Sequence, residues 1–205
     1  MAKAGIKYGR RIAAPDYARI AEDAEDSVMR ALGVKRPEDL VAKPPADLVV
    51  AAAEVVRQAD AEIAVHIDER DHALAHLWFY EQRLGLAVTA GLAQSGYRQA
   101  LAKLMFGDKK HLLPDVPTNE ELVRAAEEAG IERVDNAEAQ LLETAPIVYA
   151  ARARRNLAVR YMQEAVFALS EPPYKWKPGQ IAEHAGVAQY LIYQHRTAAR
   201  KRRGL

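Results

Sequence analysis

Cysteine is absent from this 205-residue chain, which excludes disulfide frameworks and thiolate metal sites. Serine occurs only at Ser27, Ser95 and Ser170, and none sits on a nucleophile elbow. No Gly-x-x-x-x-Gly-Lys and no dinucleotide fingerprint are present. With these missing, no catalytic constellation is legible, and no enzyme activity and no cofactor are expected. No apolar run approaches the roughly 18 residues that a membrane span needs. The basic N-terminus, Met1-Ala2-Lys3-Ala4-Gly5-Ile6-Lys7, has no apolar stretch behind it, so a secretory signal is not expected. The expectation is a cytoplasmic, nucleoid-associated protein without a membrane partner.

Charge is present in near balance, 29 Lys and Arg against 28 Asp and Glu, for a net +1, but its distribution is uneven. Lys3, Lys7, Arg10 and Arg11 open the chain with no acid among them. Arg196, Arg200, Lys201, Arg202 and Arg203 close it, again without an acid. The body between is acidic. Basic ends on an acidic body suit a polyanion, because neutralising phosphates releases condensed counterions.

Alanine is abundant, β-branched runs are few and no stretch alternates apolar with polar, so the fold class is all-α. Four segments are expected. The first, 1–45, holds an N-terminal arm and a helix from Asp16 to about Leu32, closed by Gly33. Lys35-Arg36-Pro37 and Lys43-Pro44-Pro45 punctuate the remainder of that segment. The second, 46–110, begins with a long helix to about Gln82. Its seam, Val49, Ala53, Val56, Ile63, Ile67, Leu74 and Leu77, is heptad-like but interrupted by Asp60 and Arg70. It suits pairing within the chain or across a homodimer. The third, 111–146, is a helical connector. After the loop at Pro114-Asp115-Val116-Pro117, Thr118 and Glu121 form a capping box; a short helix runs from Asp135 to Glu143, stopped by Pro146. The fourth, 147–205, holds a long helix to about Leu169, broken by Glu171-Pro172-Pro173-Tyr174.

The segment from Pro178 to Tyr193 carries the functional signal. Two helices meeting steeply need a small residue at their contact, Ala182. They need a glycine in the turn, Gly186, at positive φ. They need apolar residues to close a small core, here Ile181, Ala185, Val187 and Ile192. Pro178 suits a first helical turn. The arrangement resembles the helix-turn-helix of bacterial regulators, and its Ile-Ala-x-x-Ala-Gly-Val core is similar to that of TetR-like repressors, although it lies here at the C-terminal end. The resemblance covers about 20 residues and implies double-stranded DNA as the partner, with no effector pocket carried over. It places the second helix in the major groove. Gln189, Tyr190, Tyr193 and Gln194 would then face base edges, where glutamine pairs bidentately with adenine. Arg196, Arg200, Lys201, Arg202 and Arg203 would hold phosphates. Ala188 stands where a capping Ser or Thr is usual.

A second copy of this layout lies at Gly85 to Arg98. Ala-Gly-Leu-Ala-Gln at 90–94 matches Ala-Gly-Val-Ala-Gln at 185–189, with Leu86, Ala87 and Tyr97 in the places of Ile181, Ala182 and Ile192. Each copy comes after a long helix. Outward residues of the internal copy are Gln94, Ser95, Arg98, Gln99 and Lys103, although Gly96 weakens its second helix.

Other groupings carry less. Glu69-x-x-His72 has no second copy, and Asp68, His72 and His76 span about 12 Å of helix, too far for one ion; no metal is expected. Trp78, Phe79 and Tyr80 are read as core, and Trp176 as packing beneath the C-terminal motif. The expected function is sequence-specific DNA binding in transcriptional regulation. The alternatives are a partition, replication-accessory or packaging protein, and a helical scaffold without a DNA role.

Overall fold

Prolines and glycines divide the chain into runs that are helical by composition, and the computed structural model has helices in those runs. It describes residues 6–36, 39, 42–113 and 118–205. Lys3, Pro37 and the loop Pro114 to Pro117 lie outside the described residues. The elements are α1 (Tyr17–Ala31), α2 (Pro45–Phe79), α3 (Leu86–Thr89), α4 (Gln94–Phe106), α5 (Asn119–Glu128), α6 (Ala137–Ser170), α7 (Pro178–Ala185) and α8 (Gln189–Arg202). The described residues contain no β-strand, only an isolated parallel bridge between Arg11 and Leu84. The protein is all-α. No helix among the described residues is long and apolar enough to cross a membrane.

One expectation about the helices is modified. Pro146 does not end a helix: α6 runs through it for 34 residues. A proline removes one backbone bond and crowds the preceding turn. Here Leu141, Ala145, Val148 and Ala151, on both sides of it, are fully buried, and continuous packing outweighs that local cost. The stretch from Gly85 to Phe106 divides into α3 and α4 at Ala90-Gly91-Leu92-Ala93. Of the capping box expected at α5 one half forms: the Thr118 hydroxyl accepts from the Glu121 N–H at 3.2 Å, while the Glu121 carboxylate accepts from that hydroxyl at 3.1 Å and not from the cap's N–H.

Four consecutive segments do not describe how the chain packs. It divides into two compact units, each drawn from two stretches: 1–20 with 63–149, and 21–62 with 150–205. In the first unit, Leu74, Leu77 and Phe79 of α2 form a core with Leu86, Leu101, Leu122 and Leu141. The N-terminal stretch belongs to it. Ile12 is buried, the Gly9 N–H donates to the Gln82 carbonyl at 3.0 Å and the Lys7 N–H to Asn119 Oδ1 at 2.7 Å. Arg10 reaches both oxygens of Glu138, at 2.7 and 2.8 Å. Three of the four N-terminal cations, Lys7, Arg10 and Arg11, thus sit on a segment pinned to the body, and the Arg10 guanidinium is paired there. Trp78, Phe79 and Tyr80 serve this core as expected; the Tyr80 hydroxyl donates to the Ile131 carbonyl at 2.5 Å.

In the second unit, Val28 of α1 and Leu32 just after it pack with Val49 and Ala52 of α2, with Met162, Val166 and Leu169 of α6, and with Ile181 and Ile192. The seam of α2 is therefore buried against its own chain at each end. Its two charged interruptions have partners as well. Asp60 accepts from Arg155 Nε at 2.6 Å, and Arg70, 2% exposed, donates to Asp71 Oδ1 at 2.5 and 2.9 Å. A buried charge is tolerated only when paired in this way.

Both short turns contain a left-handed glycine, Gly91 at φ +62° and Gly186 at φ +64°. Their surroundings differ. A Cβ on Gly91 would lie 2.8 Å from the Tyr149 ring and 2.9 Å from the Tyr17 ring, whereas one on Gly186 would meet nothing within 4 Å. Gly186→Ala should therefore cost only the backbone term, about 1–2 kcal/mol. Gly91→Ala should cost that plus about 1–3 kcal/mol of overpacking. Denaturant midpoints of the two variants check the order, which equal losses would contradict.

Candidate nucleic-acid interface

The C-terminal unit is built outward from its turn. Pro178 begins α7, where its missing N–H removes no helical bond, and Gln180 Oε1 accepts the Lys177 N–H at 2.9 Å. α7 buries Ile181, Ala182 and Ala185. At Gly186 (φ 64°, ψ 37°) the chain leaves the helix. The Val187 N–H returns to the Ala182 carbonyl at 3.0 Å and the Gly186 N–H to Glu183 at 3.3 Å, a Schellman-type closure. Ala188 then caps α8 in extended conformation without any side-chain hydrogen bond. α8 turns Ile192 and Ala199 into the core. Trp176 packs its ring against His184 with centroids 5.3 Å apart, and its backbone N–H donates to the Leu169 carbonyl at 2.8 Å. That fixes the approach to α7 and agrees with the packing role expected of Trp176.

Because Ile192 and Ala199 define the inward side, the opposite side of α8 is determined by helical period. It presents Gln189, Tyr190, Tyr193, Gln194, Thr197, Arg200 and Lys201, all exposed. Tyr190 is 61% exposed and Tyr193 52%, unusual for large aromatics on a helix with a well-formed core. Gln189 Nε2 contacts the Tyr193 hydroxyl at 3.4 Å. α8 contains no acidic residue. Thr197 carries no motif signal of its own, yet its place four residues after Tyr193 and four before Lys201 puts it on this face.

The five C-terminal cations divide into two sets. Arg200 and Lys201 stand on the outer face and have no hydrogen-bond or ion-pair partner among the described residues. The other three, expected from sequence to hold phosphates, are engaged by the protein's own acids. Arg196 reaches Glu171 at 3.5 Å, leaving its buried Nε without a hydrogen bond. Arg202 pairs with Glu164 at 2.8 Å and also donates to Gln163. Arg203 pairs with Glu164 at 2.6 Å and lies over the Phe167 ring, 4.4 Å from its centroid. Glu164 is more than 30 residues away in sequence, which is why no local pattern announces the clasp. Burial pushes the Glu164 carboxyl up, but hydrogen bonds and charge from Arg203 and Arg202 outweigh it, and its pKa falls below the ordinary 4.5. His195, on the inward half of α8, is lowered by burial and then by the Arg155 charge, which favours its neutral form.

Gln94, Ser95, Arg98, Gln99 and Lys103 of α4 are all exposed, as their spacing implies. Two of the polar groups on the α2 face have engagements other than a metal: Glu69 accepts from Gln140 at 2.7 Å, and His76 Nδ1 accepts the Val134 N–H at 2.9 Å. No cluster of three His, Asp or Glu suited to a metal occurs among the described residues. Compared with known proteins, the chain matches no family model, no curated protein and no solved structure.

The cap and the clasp each lead to a measurable outcome. Ala188→Ser should add the missing cap and stabilise the second unit by about 0.5–1 kcal/mol, read as a raised melting temperature; no change would show that the first turn of α8 cannot use the hydroxyl. Glu164→Gln should cost about 0.2–1 kcal/mol at neutral pH, the usual worth of partly exposed ion pairs. A carboxyl with a depressed folded pKa contributes fully above its unfolded value and loses that contribution as pH falls through the folded one. The wild-type and Glu164→Gln stabilities should therefore converge below about pH 4.5, and a constant gap across that range would contradict the assignment.

Proposed function

We propose that the protein binds double-stranded DNA through α7 and α8 as a helix-turn-helix and acts as a sequence-specific transcriptional regulator, working at the nucleoid. The observation that carries this is the outer face of α8. It is free of acids, it offers glutamine and tyrosine side chains from its first two turns, and it ends in two cations on the same side that are unpaired among the described residues. Glutamine supplies the donor–acceptor pair that adenine presents in the major groove, and the N-terminal part of a recognition helix is the part that reaches base edges. Arg200 and Lys201 lie about two to three turns further on, in reach of a phosphate backbone. The clasp on Glu164 supports the reading in a second way: by holding Arg202 and Arg203 against α6, it joins the end of α8 to the core and orients the outer face. Homodimerisation is not needed for this reading, since both ends of the α2 seam are covered within the chain.

The test is selection of bound duplexes from a random pool, then binding measurements across a salt series. Arg200→Ala with Lys201→Ala should weaken all duplexes alike and reduce the salt slope by about 2, roughly 0.9 per lost phosphate contact. Gln189→Ala should instead relax preference at one base pair and cost about 1–3 kcal/mol on the selected sequence. No enrichment from the pool, or affinity and slope unchanged in the double variant, would refute the proposal.

A further inference from the structure

The turn between α3 and α4 repeats the geometry of the turn between α7 and α8 closely. Gly91 and Gly186 have φ of 62° and 64°. The Leu92 N–H returns to the Ala87 carbonyl at 2.8 Å, as Val187 returns to Ala182 at 3.0 Å. The next helices are capped by Ala93 (φ −66°, ψ 156°) and Ala188 (φ −67°, ψ 138°), neither with a side-chain bond. Tyr97 is buried where Ile192 is buried.

The equivalence extends upstream. α2 and α6 have 35 and 34 residues, and their buried positions keep one register: Val49 with Leu141, Ala53 with Ala145, Leu74 with Val166. Each unit has the same inventory. One holds α5, the start of α6, the end of α2, and α3 with α4. The other holds most of α1, the start of α2, the end of α6, and α7 with α8. The chain is thus two copies of a short helix, a long helix and a two-helix turn, with each unit combining the opening of one copy with the close of the other.

We infer that α3 and α4 form a second duplex-DNA-binding head with a half-site of its own; this rests on the reading of α8 as a recognition helix. Like α8, α4 contains no acid, and its exposed side offers Gln94 at the position of Gln189, with Ser95, Gln99, Arg98 and Lys103. A face with cations and no acids, bearing an amide at its first turn, complements a phosphate-lined groove. The second head has no exposed tyrosine pair and contains Gly96, so the two half-sites it and α8 select differ in sequence. A folded core and an intact turn do not require exposed Arg98 or Lys103, whereas a DNA contact does.

The experiment uses the full chain on a duplex chosen from the random pool, with hydroxyl-radical footprinting, sedimentation for stoichiometry, and melting to verify the fold. The wild type should protect two separate half-sites. Gln94→Ala, Arg98→Ala and Lys103→Ala together should erase one protected half, keep the other, and weaken binding about five- to a hundredfold. The single variant Arg98→Glu should weaken the same half at an unchanged melting temperature. The corresponding α8 variant, Gln189→Ala with Arg200→Ala and Lys201→Ala, should erase the opposite half. If the α4 variants leave footprint and affinity at wild-type values, the second head is refuted while the α8 reading stands. If only the α8 variant is silent, the α8 reading fails, and the inference that rests on it fails with it. Equal binding to an RNA duplex of the same sequence would overturn the choice of DNA for both.

Discussion

A helix of 35 residues is about 52 Å long, more than the core of a small helical unit can cover. The rest of the structure depends on that length. α2 and α6 must each bury one part of their apolar seam in one core and another part in a second, and the division of the chain into two units reflects this. The middle of α2 enters neither cluster as a buried apolar run. It has Asp60 and Glu62 there, held by Arg155 and Arg154, where polar pairing can replace packing. Interrupting a heptad seam with charge is costly in an isolated coiled coil; here it marks the stretch where no core is needed.

Within each core the two-helix turn closes the remaining open side. Ile181 and Ile192 are both fully buried, and their burial fixes which side of α8 faces solvent. The proposed function is a consequence of that exclusion. Residues with no part in the core are free to be glutamine, tyrosine, arginine and lysine, and the pairs of Glu164 with Arg202 and Arg203 tie the last turn of α8 to α6. The same logic applies to α4, where buried Tyr97 and Leu101 leave Gln94, Arg98 and Lys103 outside.

Local chemistry is what a sequence displays directly. The caps at Thr118 and Pro178, the glycine turns, the absence of alternation and the outward spacing along α8 were legible because each depends on residues within a turn or two of one another. The all-α class, the turn at Gly186, the missing cap at Ala188 and the packing role of Trp176 derive from such signals. Pro146 was misleading for the same reason: its local preference is to stop a helix, and only burial of Leu141, Ala145 and Val148 on either side explains why α6 continues.

Tertiary structure decided the features that depend on groups distant along the chain. The division of the basic tail into two free cations and three engaged ones could not be read from a run of like charges, because Glu164 and Glu171 meet it only after α6 and α8 pack. The pinning of the N-terminal stretch by Asn119, Gln82 and Glu138 is of the same kind. So is the exchange of halves between the two copies, since apolar periodicity states which face of a helix is buried but not against what. By itself, then, the sequence determined the helical class, the glycine turns and the composition of the outward faces, all set by short-range sterics and helical period. Which charges remain available on those faces was settled only by long-range packing, because an ion pair is defined by proximity in space.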